Sequence, residues 1–195
     1  MQSEDPFHFR DTKVISTPKL LSPHWLKEEI TNRNSTRLVF HCFDYRSVLQ
    51  LQPNALDTIE TLSVRRVTSD GPLYQLLEYL ADLPRLTSLS ISSVSIYREW
   101  GHLLPVLNAL TNLSELSLCL SPPNDQFFDV HKTIEMFSSI SLESLSLDSS
   151  LTESQAIELV PHFTILTGLR VLNLNSCFKT TIQPLCDALP ALTQL

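Results

Sequence analysis

The sequence repeats one hydrophobic pattern, and this repetition limits the folds that are open to the chain. Residues 76–91 and residues 103–118 match position for position, 27 residues apart. A third copy lacks one residue and ends at Leu147, and a fourth copy ends at Leu174. A fixed period in this range indicates a stack of similar units, none of which can bury its apolar residues alone.

Each copy has two parts that differ in their hydrophobic period. The first part spaces its apolar residues by three and four, which predicts an apolar stripe on one side of a helix. In the first full copy these residues are Leu73, Leu76, Leu77, Leu80 and Leu83. The second part has the form L-x-x-L-x-L/I and ends in alternation, which predicts a short strand with one buried face. The repeats therefore predict an α/β solenoid with a curved parallel β-sheet on its concave face and helices on its convex face.

One leucine anchors each predicted strand in the core. These anchors are Leu62, Leu89, Leu116, Leu145, Leu172 and Leu195. The first anchor belongs to a degenerate copy in residues 49–64, where Pro53 takes the place of an apolar residue. An earlier copy is recognisable only by its strand part, residues 38–40. We expect each anchor to be buried between the repeats on either side of it.

Period and composition divide the chain into three parts. Residues 1–24 have no period and contain three prolines, so we expect a polar N-terminal tail. Residues 25–48 are predicted to form an N-terminal cap or a degenerate first repeat, and residues 49–195 the leucine-rich repeats. The last copy stops at Leu195, in the middle of a strand. We therefore expect a fragment of a longer protein, which associates through its C-terminal end when expressed alone.

A longer connection interrupts the repeats at residues 120–128. Pro122 and Pro123 prevent a helix from crossing it. The adjacent Phe127 and Phe128 have two interpretations: they anchor a partner, or they fold back and seal the irregular repeat. We favour sealing, because an exposed aromatic pair is costly in water.

Composition and charge exclude several classes of function. No apolar run approaches the roughly 18 residues that a membrane span requires, and the polar N-terminus is not a secretory signal, so we expect a cytoplasmic protein that binds no membrane. The net charge is −7, and residues 101–195 hold 3 Lys and Arg against 9 Asp and Glu. Because that half repels phosphate backbones, nucleic acid is not an expected partner.

Neither catalysis nor metal binding finds support in the sequence. The four cysteines have no zinc-like spacing, and the six histidines are scattered without an H-x-x-x-H pair. With only 3 glycines, neither a phosphate-binding loop nor a nucleophile elbow can be formed. We therefore predict no catalytic, cofactor-binding or metal-binding residues, no cofactor, and no enzymatic activity.

The strand pattern resembles that of a known family of repeats. Residues 169–177 spell L-x-x-L-x-L-x-x-C, which is similar to the signature of leucine-rich repeats. The resemblance is to the long, helix-containing class, which includes ribonuclease inhibitor, the Ran GTPase-activating protein, F-box substrate receptors and NOD-like receptors. It covers residues 49–195 and implies a parallel-stranded horseshoe with a binding role. The sequence departs from the family where Val67, Val94, Ser121 and Ser150 stand at the position of Cys177.

The side chains between the strand leucines are the candidate binding residues, because alternate residues of a strand face opposite ways. The candidates are Ser63, Arg65, Ser88, Ser90, Ser92, Glu115, Ser117, Ser144, Ser146, Asp148, Asn173 and Asn175. Thr61, Cys119 and Val171 share their face. A serine-rich concave face allows a partner to approach the backbone closely. The alternative is that any solvated strand face is rich in serine and threonine.

Two classes of function remain open. The first is a non-catalytic protein–protein interaction module, a scaffold that binds another protein through the concave strand face. The second is a fragment of a regulator that acts on an enzyme, such as an F-box-type ubiquitin-ligase substrate receptor or a GTPase-activating protein. Residues 21–30 resemble the opening of an F-box only faintly, because the proline is misplaced.

Overall fold

The chain forms an α/β fold in which one parallel sheet carries helices on one face. The computed structural model describes residues 14–17, 36–41, 56–67, 79–81, 83–93, 100–120, 130–149 and 151–175. The strands are β1 (Val14–Thr17), β2 (Arg37–His41), β3 (Thr61–Val67), β4 (Ser88–Ser93), β5 (Glu115–Leu120), β6 (Ser144–Ser149) and β7 (Val171–Asn175). The helices are α1 (Trp100–Ala109), α2 (Val130–Ser139) and α3 (Glu153–Leu159), which continues into a 3₁₀ helix (Val160–Ile165).

The seven strands lie side by side in the order of the sequence, each parallel to the next. From β2 to β7, the register places the second residue of each strand, a leucine, opposite the leucine of the next strand. This leucine row runs through Leu38, Leu62, Leu89, Leu116, Leu145 and Leu172. The prediction of strands that contain the anchors Leu62 to Leu172 is therefore confirmed, as is the earlier strand at residues 38–40. The last predicted anchor, Leu195, lies outside the described residues.

The first strand was not predicted from the sequence. β1 lies within residues 1–24, for which we expected only a polar tail, and pairs Val14 with Arg37 of β2. The strand is four residues long and contains three β-branched side chains, which favour extended backbone. Four residues are too few to display a repeat, so the pattern that identified the other strands had nothing to detect here.

The core lies between the sheet and the helices. The strand side chains that face it include the leucine row and the next inward row, which contains Val64, Ile91, Leu118 and Leu147. Helical residues that share the same buried cluster are Leu103, Val106, Leu107, Met136, Ala156 and Leu159. Phe137 of α2 and Phe163 of the 3₁₀ helix are fully buried, with ring centroids 5.3 Å apart. One face of the sheet is thus closed by the helices, and the other is not used by this core.

A tight turn leads into several of the strands and explains the three-residue spacing between the last apolar residue of the first part of a copy and the first apolar residue of its second part. In each turn the amide of the second apolar residue donates to the carbonyl of the first, three positions earlier. The pairs are Leu56 and Ile59, Leu83 and Leu86, Leu110 and Leu113, and Leu166 and Leu169. Both ends of each turn are buried while the two residues between them are exposed. The spacing therefore satisfies the core and the backbone at once.

A ladder of shared carbonyls connects successive repeats just before the strands. Each carbonyl accepts hydrogen bonds from two consecutive amides of the following repeat, at 2.7–3.0 Å. The acceptors are the carbonyls of Thr36, Glu60, Thr87, Ser114 and Glu143. Side chains add to the ladder: the Thr87 hydroxyl donates to the Glu60 carbonyl over 3.1 Å, and Asn112 Nδ2 donates to the Pro84 carbonyl over 2.8 Å. These bonds fix each repeat in register with the next.

Parts of the sequence-based interpretation fall outside the described residues. They include most of the helix predicted in residues 73–83, the connection at 121–129 with Phe127 and Phe128, and everything after residue 175. Within the described part, none of the helices is both long enough and apolar enough to cross a membrane.

The register predicts different costs for two neighbouring truncations in β5. Leu116 is 2 % exposed in the core, whereas Ser117 points to the opposite face and is half-buried. We expect Leu116→Ala to lower the free energy of unfolding by roughly 2–5 kcal/mol, because it leaves a cavity in the core. Ser117→Ala should lower it by less than about 0.5 kcal/mol. Urea denaturation of both variants checks this, and equal losses would contradict the register.

Candidate functional site

The candidate site is the face of the sheet that points away from the helices, which we call the open face. It consists of the outward side chains of β2 to β7. Its central row pairs Ser63, Ser90, Ser117, Ser146 and Asn173 across five adjacent strands. The row before it contains Ser88, Glu115, Ser144 and Val171, and the row after it contains Arg65, Ser92, Cys119, Asp148 and Asn175. All twelve sequence-predicted candidates therefore lie on one face of one sheet.

Two residues of the open face were missed by the sequence analysis. Arg37 pairs with Thr61 and Val39 pairs with Ser63, so β2 extends both rows by one strand. The alternation in residues 38–40 had already identified a strand there. Applying the inward and outward rule to it would have placed Arg37 and Val39 on this face.

Exposure divides the open face into two regions. At its β2–β3 end Arg37, Val39 and Ser63 are buried. From β4 to β7 the side chains are mostly half-buried, and Val171 is 52 % exposed. The side chains of Arg65 and Asn175 lie outside the described ones. The accessible region of the open face is therefore the one formed by β4 to β7.

Several hydroxyl groups of this region make no hydrogen bond to a described residue. Away from the open face some hydroxyls, such as that of Ser138, donate to a backbone carbonyl, whereas others, such as that of Ser141, do not. On the open face, the hydroxyls of Ser90, Ser117 and Ser144 make no hydrogen bond to any described residue. Their donors and acceptors are thus free, within the described part, to bind another molecule.

Ser146 shows this property most clearly. It lies at the centre of the accessible region, between Ser117 and Asn173, and is only 7 % exposed. Its neighbours Leu145 and Leu147 are buried in the core, so its own side chain points to the open face. In the described structure its hydroxyl has no hydrogen-bond partner. Because this hydroxyl oxygen is not among the fully buried atoms that lack a partner, the small exposed part of Ser146 includes it, and it stays accessible to water or to another molecule.

Two carboxylates provide the charge of the accessible region. Glu115 begins β5 and Asp148 lies near the end of β6, and both are half-buried. The Asp148 carboxylate accepts a long contact from the Cys119 thiol, with Sγ and Oδ2 3.8 Å apart. Neither carboxylate forms an ion pair with a cation of the described residues. The twelve outward positions of β4 to β7 contain no Lys or Arg, so this region is purely anionic.

An open depression of about 410 Å³ lies beside the turns that precede β3 to β5. It is lined by Glu60, Pro84, Arg85, Thr87 and Asn112, all of which are exposed. Two of its donors, the Thr87 hydroxyl and the Asn112 amide, are already bonded to carbonyls of the ladder. It therefore offers a shallow surface without a buried polar group directed at a ligand.

The metal-ligating and thiol side chains of the described part are dispersed. Among the described residues, no group of three or more His, Cys, Asp or Glu side chains is placed to hold a metal ion. Cys119 is a half-buried thiol, in no disulfide, beside Asp148. His131 and His162 lie on helical segments, where His131 Nδ1 is 3.4 Å from Glu158 Oε1 at the surface. These side chains do not converge on a common point.

Known sequences assign no role to this site. No protein-family model matches the chain. A search of the curated proteins likewise gives no match.

The unbonded hydroxyl of Ser146 leads to a testable prediction about stability. Ser146→Ala removes a hydroxyl that bonds to no described residue, so we expect the free energy of unfolding to change by less than about 0.5 kcal/mol. The matched control is Ser114→Ala, which removes a 3.3 Å bond to the Thr87 carbonyl and should lower it by roughly 0.5–1.5 kcal/mol. Chemical denaturation measures both. A clear loss for Ser146→Ala would mean that its hydroxyl stabilises the fold.

Proposed function

We propose that this chain forms a leucine-rich-repeat solenoid that binds another protein through the open face of its sheet. In this proposal the protein is a non-catalytic interaction module. The observation that carries it is the row of small polar side chains across β4 to β7, of which Ser146 is largely buried and without a hydrogen bond to any described residue.

The repeat period and the hydrogen-bond ladder support the solenoid. One side-chain bond of the ladder joins residues 27 positions apart and another joins residues 28 positions apart. Both separations are close to the 27-residue period of the sequence copies. Neighbouring strands are about 4.8 Å apart, whereas packed helices need about 8–10 Å between their axes. A stack with strands on one side and helices on the other therefore curves towards the strands, and the open face becomes its concave surface.

The chemistry of the open face supports a protein partner. Small side chains allow another chain to approach the sheet closely, and free hydroxyls supply both donors and acceptors for a peptide backbone. The anionic character of β5 and β6 disfavours nucleic acid, since a phosphate backbone would be repelled. A reducing compartment such as the cytoplasm suits the thiol of Cys119 on this face, which is in no disulfide.

The proposal is tested by blocking the open face with bulky side chains. The variant S90W/S117W places two tryptophans at half-buried positions of neighbouring strands. The control K132W/E135W places the same bulk at exposed positions of α2. Proteins that co-purify with the full chain are quantified by mass spectrometry for the wild type and for both variants.

We expect a specific set of proteins to bind the wild type and the control but to decrease by about tenfold or more with S90W/S117W, which corresponds to about 1.4 kcal/mol of binding. Circular dichroism and thermal unfolding verify that both variants are folded, and S117R serves as a smaller blocking change. If every bound protein is retained by the folded S90W/S117W and S117R variants, the open face is not the docking surface.

A further inference from the structure

The charges of the open face indicate what kind of partner segment it binds, and this inference rests on the function proposed above. Glu115 and Asp148 are the charged side chains at the outward positions of β4 to β7. Both are half-buried, and within the described structure neither is paired with a cation. A carboxylate that has lost part of its hydration gains most from an opposite charge brought directly to it.

The register fixes how far apart the two carboxylates are anchored. Glu115 is paired with Ser144, and Asp148 follows Ser144 by four residues on the neighbouring strand. Four residues of strand span about 13 Å, and one strand spacing adds about 4.8 Å at right angles, so the two positions are roughly 14 Å apart. The line that joins them runs within about 20° of the strand direction.

An extended peptide matches this distance in a particular way. Four residues of extended chain also cover about 13–14 Å, and side chains two and four positions apart point to the same side. A segment laid along β5 and β6 would place the side chains of residues i and i+4 over Glu115 and Asp148. The side chain of residue i+2 would then lie over the central row, at Ser117 and Ser146.

We propose that the open face at β5 and β6 binds an extended basic segment of a partner protein, with two Lys or Arg residues four positions apart. The cations at i and i+4 pair with Glu115 and Asp148. The residue between them, at i+2, is small or polar and hydrogen-bonds to the hydroxyls of Ser117 and Ser146.

A random linear peptide library displayed on phage is the probe. The full chain is immobilised, and peptides are selected at about 0.15 M salt, where attraction between distant surface charges is largely screened. Affinities of the selected peptides are measured by fluorescence polarisation for the wild type, for E115Q/D148N, and for D57N/E135Q. The last variant removes two exposed carboxylates away from the open face, so it matches the change in net charge.

We expect the selected peptides to carry two Lys or Arg four positions apart. E115Q/D148N should weaken their binding by about tenfold or more, whereas D57N/E135Q should weaken it by about twofold or less. Exchanging the basic pair for glutamine in the peptide should cause the same loss and leave little further effect of E115Q/D148N. The substitutions to Gln and Asn keep side-chain shape, and thermal unfolding verifies the fold.

Three outcomes would overturn the inference. Basic peptides that lose equal affinity with both charge variants would indicate general attraction to an acidic chain. Selected peptides without the spaced basic pair, whose binding is abolished by S90W/S117W, would leave the open face as a docking surface and refute only the basic partner. Peptides that bind folded S90W/S117W as well as the wild type, or a selection that enriches nothing, would count against both the basic partner and the proposed function.

Discussion

The structure depends on the in-register packing of the leucine row. A strand of five or six residues and a helix of seven to ten cannot bury their apolar sides by themselves, so each repeat needs the repeats on both sides of it. Leu116 is buried because Leu89 and Leu145 stand beside it and the helices lie above it. The shared carbonyls before the strands hold that register, since each accepts two amides from the next repeat. A shift of one residue would move the whole row to the opposite face.

The same constraint leaves the open face available for binding. Because the inward positions supply the core, the outward positions can change with little effect on stability, which makes them suitable for recognition. Ser146 fits this division: its hydroxyl bonds to no described residue, so it contributes little to folding and is available for binding. Stability and the proposed binding thus draw on alternate residues of the same strands.

Much of the fold follows from the sequence, and the exceptions have physical reasons. The period predicted the strands anchored by Leu62, Leu89, Leu116, Leu145 and Leu172, because burial recurs with each copy. It could not predict β1, which is too short to repeat. Alternation predicted which residues share the open face. It could not predict that Ser63 is buried while Ser90 is half-buried, because burial depends on what surrounds each position in three dimensions.

The positions at which the sequence copies differ say most about what the open face can bind. At the inward positions the copies hardly differ, since every repeat must fit the same space. At the outward positions of β4 to β6 most residues are serine, and Glu115 and Asp148 are the charged exceptions. A solvated face that served only solubility would have no reason to place these two carboxylates partly out of water and away from the described cations. The two carboxylates lie on adjacent strands, in the rows on either side of the central row. This arrangement gives the otherwise uniform face a direction that a partner can recognise.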